Sequence, residues 1–187
     1  MRKLKLQMQV TLDGYVAGPN RELDWVTFDW DDQLNQYVTA LTETVDCMLL
    51  GRKLAEGFIP HWAALPENED TASIQEMNDT AKVVFTGTLE TSNWANTVLA
   101  TGSLVDEVSR LKQQPGKDMI TYGGASFAAA LVKHGLIDEY HLFINPVAIG
   151  RGFSIFKEIS SQHNLSLKYS RAFPCGIVAL FYEPNLA

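Results

Sequence analysis

Short apolar runs that close on glycine and lead into helix-like segments recur along this chain. Cys47-Met48-Leu49-Leu50 closes on Gly51, and Met119-Ile120-Thr121-Tyr122 closes on Gly123-Gly124. Runs of this length are too short for helices and suit strands covered on both faces. Val83-Val84-Phe85 is a third such run. A further strand over Trp94 to Ala100 leads to Ser103, which with Asp106 forms an S-x-x-D capping signature ahead of Leu104, Val108 and Leu111. The segment Ala125 to His134 reads as a helix ending at Gly135, a suitable C-cap. Leu34, Tyr37, Val38 and Leu41 follow the spacing of an amphipathic helix, with Asp31 and Asp32 at its positive end. At the N-terminus Leu4, Leu6, Met8, Val10 and Leu12 alternate with polar residues, which predicts a strand. Asp13-Gly14 ends it, and a long surface loop runs to about Asp29 through Gly18, Pro19 and Asn20. After Asp138 the texture changes to three strand-like segments, Tyr140 to Val147, Leu165 to Phe173 and Ile177 to Tyr182. This pattern predicts an α/β fold: a mostly parallel, twisted sheet with helices on both faces and antiparallel strands at one edge.

A length of 187 residues with 46% apolar composition predicts one domain, 1–187, whose core needs neither disulfide nor metal. The net charge of −7 disfavours nucleic-acid binding. No apolar stretch approaches the length of a membrane span, and Met1-Arg2-Lys3 leads into a strand pattern, not a signal-peptide core, so the expected location is cytoplasmic. Cys47 and Cys175 read as buried thiols. His61, His134, His141 and His163 stand apart, and no cluster has metal-ligand spacing. His141 reads as a structural histidine in a strand, and Glu67 to Asp70 as a solvated loop or helix start.

Ligands of open α/β sheets bind beyond the carboxyl ends of the parallel strands. Four turns fall there: Asp13 to Gly18, Gly51-Arg52-Lys53, Thr86-Gly87-Thr88 and Gly123-Gly124-Ala125-Ser126. Each mixes glycine with hydroxyl, acidic or basic residues. Glycine allows close approach to backbone N–H groups, and a helix N-terminus adds a favourable dipole, a combination that suits phosphate. Each turn alone is equally a plain strand-to-helix connection. Gly124-Ala125-Ser126-Phe127-Ala128 also has part of a nucleophile elbow, with Asp138 and His141 or His163 downstream, but the second glycine is missing.

The stretches Thr11-Leu12-Asp13-Gly14-Tyr15-Val16-Ala17-Gly18, Leu49 to Lys53, Val83 to Thr86, Ile120 to Ala125, and Asn145-Pro146-Val147 through Gly150-Arg151-Gly152 to Phe156 resemble the dihydrofolate reductase-like superfamily. Within it they are similar to the bacterial branch related to the reductase domain of the bifunctional riboflavin-biosynthesis deaminase/reductase. The resemblance covers nearly the whole chain. It implies a three-layer fold and an NADPH site. Gly51, Arg52 and Lys53 match the turn that holds the adenosine 2′-phosphate and pyrophosphate, although Leu54 replaces a hydroxyl residue common there. Thr86 matches the position near the 2′-phosphate. Gly123 and Gly124 match a glycine pair, often cis in the family, that faces the pyrophosphate ahead of Ala125 and Ser126. Ala17 and Gly18 match a mobile loop over the nicotinamide, and Gln9 is expected to point toward that ring.

The proton source is open at this stage. Asp31 and Asp13 are the candidates, set against helix capping for Asp31 and turn formation for Asp13. The reading is an NADPH-dependent reductase of a small, heterocyclic substrate. A narrower version is a riboflavin-type ribosylaminopyrimidine reductase without the fused deaminase, and a reading of another class is a nucleotide-binding protein without catalysis. A homodimer is expected, with Leu165, Leu167, Tyr169 and Phe173 forming one apolar strand face and riboflavin-type relatives dimerising.

Overall fold

The alternating strand β1 (Leu4–Thr11) sits in the interior of the sheet, with neighbours on both sides. In a computed structural model that describes residues 1–67 and 69–185, it pairs in parallel with β5 (Asp118–Thr121) and β6 (Glu139–Asn145). Its even residues Leu4, Leu6, Met8 and Val10 enter the largest core cluster. There they meet Val108 and Leu111 of α4 (Leu104–Gln113) and Ala128, Leu131 and Val132 of α5 (Ala125–Lys133). Its odd residues take the other face, the one on which α1 (Asp32–Thr42) packs against Phe143 of the neighbouring strand, and Lys5, Gln7 and Thr11 are buried although polar. An alternation that usually marks a half-solvated strand therefore belongs to one covered on both faces.

The remaining strands are β2 (Val45–Gly51), β3 (Ala81–Phe85), β4 (Thr97–Ala100), β7 (Leu165–Ala172) and β8 (Val178–Pro184). The eight-stranded order is β4-β3-β2-β5-β1-β6-β8-β7, parallel as far as β6 and antiparallel across β8 and β7. The sequence-based expectation of an α/β sheet with an antiparallel edge holds. On the α1 side, α2 (Arg52–Ala63) packs Ala55 and Ile59 against Met48, Leu50, Val84 and Ile120, while α1 packs Leu34 against Phe143, Ile177 and Ala179.

Several local expectations are corrected. The strand expected from Trp94 starts at Thr97, and Trp94 instead packs against the α2 cluster. Ser103 occupies the N-cap of α4, but its side chain makes no capping hydrogen bond. Gly135 does terminate α5: at φ +63° its N–H bonds Val132 O and that of Leu136 bonds Leu131 O, both at 3.0 Å. Asp70 of the acidic stretch caps α3 (Thr71–Asp79) through Ser73, and Asn68 lies outside the described residues. The largest correction concerns β7. A bulge between Leu167 and Tyr169 shifts its register against β8. Leu165 consequently packs on the main core, whereas Phe173 joins the α1 cluster and Tyr169 stacks on Tyr37, with ring centroids 5.8 Å apart. The four residues do not share one face. No helix among the described residues is long and apolar enough to cross a membrane.

Candidate active site

The strands β3, β2, β5 and β1 are successive neighbours, so their carboxyl ends lie in a row. Thr86-Gly87-Thr88, Gly51-Arg52-Lys53, Gly124-Ala125-Ser126, and Met8 with Gln9 line one cleft of about 840 Å³ along that row. The facing wall comes from Val16, Ala17, Leu23, Val26, Phe28 and Phe153. The segment from Leu12 to Trp30 is therefore more than a surface loop: Val16, Ala17 and Val26 are buried. An isolated antiparallel bridge joins Ala17 to Phe153, with Val16 N–H to Phe153 O and Phe153 N–H to Ala17 O both 2.8 Å.

Two helices open on this cleft without side-chain caps. The N-cap of α2 is Gly51 and that of α5 is Gly124, so neither position has a hydroxyl or carboxylate to occupy the first-turn N–H groups. Gly123 and Gly124 have φ of +114° and +43°, a region in which side-chain-bearing residues are strained. Their peptide is not cis; no described peptide bond is. The two glycines also differ in surroundings. A Cβ at Gly123 would lie 3.0 Å from the Met8 thioether, inside the core, whereas one at Gly124 meets only Leu54 Cβ, at 3.7 Å, beside the open cleft. Gly124 therefore lines the site and Gly123 shapes the turn behind it. Gly18 also lies off the cleft wall, packed on Glu22, with its N–H 3.0 Å from Glu22 O.

The cationic groups are placed for anions but not free of other contacts. Arg52 Nη1 donates to Glu56 Oε1 at 2.6 Å within α2. Lys53 is exposed on the cleft rim. Thr86 Oγ1 accepts from Thr88 N–H and Leu89 N–H at 3.1 and 3.0 Å, which fixes the turn and leaves the hydroxyl proton to donate. Uncapped helix ends, a glycine cradle and adjacent cations fit a dinucleotide's phosphates.

Neither acidic candidate lines the cleft. Asp13 accepts from the Thr11 hydroxyl at 2.6 Å and from Gly150 and Ile149 N–H at 2.7 and 3.1 Å, tying the end of β1 to the turn after β6. The Thr11 hydroxyl, then those amides, hold its pKa below the ordinary value. Asp31 caps α1 through Gln33 and Leu34 N–H and accepts from Cys175 N–H at 3.0 Å. Loss of water is the largest single influence on it and acts upward, but the amides together hold its pKa low. Both carboxylates are thus structural acceptors. No aspartate, glutamate or histidine is on the cleft wall among the described residues.

Ionic groups gather at the opposite end of β1. Glu139 is buried and contacts Lys3 Nζ at 2.7 Å, Lys5 Nζ at 3.7 Å and His141 Nε2 at 3.2 Å. Burial, the largest influence, would raise its pKa; His141, Lys3 and Lys5 together bring it down to about 2. His141 stacks on Phe181 with centroids 4.5 Å apart, a structural placement. Among the described residues no group of side chains could hold a metal ion.

Asn145 and Thr27 lie behind the cleft wall, bound to its residue Gln9, and escaped sequence reasoning. Asn145, at the end of β6 and fully buried, donates to Gln9 Oε1 at 2.8 Å and accepts from Thr27 N–H at 3.0 Å. Its only sequence signal was its place in the Asn145-Pro146-Val147 stretch.

A sheet of this order, with a glycine-walled cleft across the ends of its parallel strands, defines an α/β fold of the dihydrofolate reductase-like class. The profile of the RibD C-terminal domain matches residues 2–179, and the chain belongs to that family. It is 35% identical over 193 aligned residues to protein YyaP of Bacillus subtilis (strain 168), covering 98% of this chain and 96% of that one. Among solved structures it is similar to a protein named for riboflavin biosynthesis from Shewanella sp. PV-4, with a TM-score of 0.73 at 21% identity over 99% of both chains. It also shares its fold with dihydrofolate reductase from Enterococcus faecalis complexed with NADP(H), with a TM-score of 0.61 at 13% identity over 98% of this chain and 96% of that one.

Proposed function

We propose that the protein is an NADPH-dependent reductase that transfers hydride to a C=N or C=O group of a small, heterocyclic substrate. The observation that carries this reading is the pair of uncapped helix N-termini at Gly51 and Gly124, on adjacent parallel strands and open to one cleft. Membership of the RibD C-terminal family and the fold shared with an NADP(H)-bound reductase support it.

When bound, the cofactor supplies the hydride; the chain supplies binding and orientation. Backbone N–H groups of α2 and α5 would receive the pyrophosphate, Arg52, Lys53 and Thr86 would receive the 2′-phosphate, and Gln9 and Ala17 would flank the nicotinamide end. Without an acidic side chain on the wall, the proton for the reduced product is drawn from water. A ribosylaminopyrimidine phosphate reductase is the narrower form of this reading. The acid-free wall also favours a second reading, a nucleotide-binding protein without catalysis.

Loss of 340 nm absorbance with NADPH and a panel of pterins, pyrimidines and quinones separates the two. Turnover that persists in Asp13→Asn and Asp31→Asn supports a reductase with water as proton source. Binding of NADPH without turnover on any of them supports the second reading, failure to bind NADPH rejects the first, and failure to bind any nucleotide rejects both.

A further inference from the structure

The amide of Gln9 is fixed in one orientation by a chain of hydrogen bonds whose starting point admits no ambiguity. A backbone N–H can only donate, so the Asn145 atom 3.0 Å from Thr27 N–H is its oxygen. The other Asn145 terminus is then its NH₂, consistent with its second contact, Phe143 O at 3.1 Å. That NH₂ needs an acceptor in Gln9, so Oε1 faces Asn145 at 2.8 Å and Nε2 is left for the cleft. Among the described residues no protein acceptor meets Gln9 Nε2, and Gln9 is on the cleft wall. Asn145 itself is fully buried and cannot turn without stranding the Thr27 N–H.

What surrounds that donor is apolar. Met8, Val16, Leu23, Val26 and Phe28 form the wall at this end of the cleft. Arg21, which also lines the cleft, is exposed and laid over the Phe153 ring, 5.6 Å from its centroid.

We infer that Asn145 is a positioning residue that sets Gln9 Nε2 as the cleft's hydrogen-bond donor, so that the site takes a neutral, largely apolar ring carrying one carbonyl or imine acceptor. The inference names the substrate class for the reductase reading, sets aside the narrower phosphorylated form of that reading, and rests on it only for which cleft the substrate enters. A hydrogen bond to the acceptor atom polarises the adjacent carbon, where a hydride is received.

The probes are 1-tetralone, its hydrocarbon tetralin, which lacks the acceptor, and 1-naphthoate, which adds a negative charge. Each is titrated calorimetrically into the full chain, with and without NADP⁺. The readout is the ratio of tetralin to tetralone dissociation constants. Removing the donor in Gln9→Leu, or turning it in Asn145→Asp, where both carboxylate oxygens accept and Gln9 must reverse, lowers this ratio by about threefold to tenfold. Tetralin affinity stays constant in both, which general loosening of the cleft would not allow. If Asn145→Asp does not fold, Gln9→Glu serves instead: it keeps the Asn145 anchor, shows only oxygen to the cleft, and gives the same drop.

An unchanged ratio in the folded variants, naphthoate binding tighter than tetralone, or no binding of tetralone to the wild type overturns the inference. A ratio that falls as stated in a protein that does not bind NADP⁺ upholds it and rejects the reductase reading instead.

Discussion

Replacing Arg52 or its partner Glu56 moves the preference between NADPH and NADH in opposite directions. The two cofactors differ by one 2′-phosphate, and a charge-assisted hydrogen bond to it contributes about 1.5 to 3 kcal/mol. Arg52 is not free, however: its Nη1 is 2.6 Å from Glu56 Oε1, with the two side chains 31% and 43% exposed. Giving up an i,i+4 pair of that exposure costs about 0.3 to 0.5 kcal/mol. The remainder, about 1 to 2.5 kcal/mol, corresponds to roughly a fivefold to seventyfold preference for NADPH. Arg52→Ala should lower the NADPH preference by that factor, with little effect on NADH. Glu56→Gln should raise it by about twofold, because about 0.3 to 0.5 kcal/mol is no longer spent on releasing the guanidinium. Fluorescence titration with both nucleotides at low and high salt measures the ratio, which should shrink in the wild type as salt screens the contact. Equal loss of both affinities in Arg52→Ala would show that Arg52 serves the shared pyrophosphate or the fold. A lower ratio in Glu56→Gln would show that Glu56 orients Arg52 instead of competing for it.

Gly124→Val should abolish NADPH binding by calorimetry at a stability cost of about 1 to 3 kcal/mol, set by φ +43° and not by crowding, since the nearest atom to a new Cβ is 3.7 Å away. Retained affinity would mean the turn is only a connection. Glu139 has an ordinary pKa of 4.5 and is held at about 2, so its contribution to stability is complete above about pH 4.5 and lost as pH falls toward 2. That loss is at most about 3 kcal/mol, and chemical denaturation across this range should show a shallower decline in Glu139→Gln; an identical decline would remove Glu139 from the account. The edge strand β7 leaves Leu167 and Tyr169 at 53% and 39% exposure, and pairing of two copies there should give a light-scattering mass of twice 20.8 kDa. A monomer mass would exclude it.

Strand positions and the cleft's glycine turns were legible because they depend on local signals: apolar runs, glycine, and periods of two or 3.6. Two kinds of information were not local. Helices α2 and α3 were anticipated only at their starts, after Gly51 and near Glu67 to Asp70, because Gly57 and Pro60 interrupt the stripe of Leu54, Ala55, Phe58 and Ile59 in α2 and α3 buries no residue. The split of β7 into two faces depends on one extra residue against β8, which no composition encodes. At the site, the turns were readable, and helix capping was already one of the two readings of Asp31, but the partners of Asp13 and Asn145 were not legible. A carboxylate beside glycine or at a helix start looks the same whether it faces substrate or accepts from distant amides, and the amide partners of Asp13 lie 136 and 137 positions away.

The position of β1 in the middle of the sheet also sets an order of events during synthesis. Leu4 pairs with Met119 and Lys5 with Glu139, so the first strand made has no partner until the chain has grown through β5 and β6. At about 5 to 20 residues per second, the stretch from Thr11 to Asn145 takes roughly 7 to 27 s to translate. Throughout that interval Leu4, Leu6, Met8 and Val10 lack the strands and helices that bury them in the fold. The two ladders that close across β1 join the segment bearing β2 to β4 to the segment bearing β6 to β8. Trimming the N-terminus through Thr11 would consequently cut the sheet into two halves, where trimming β7 would only narrow it.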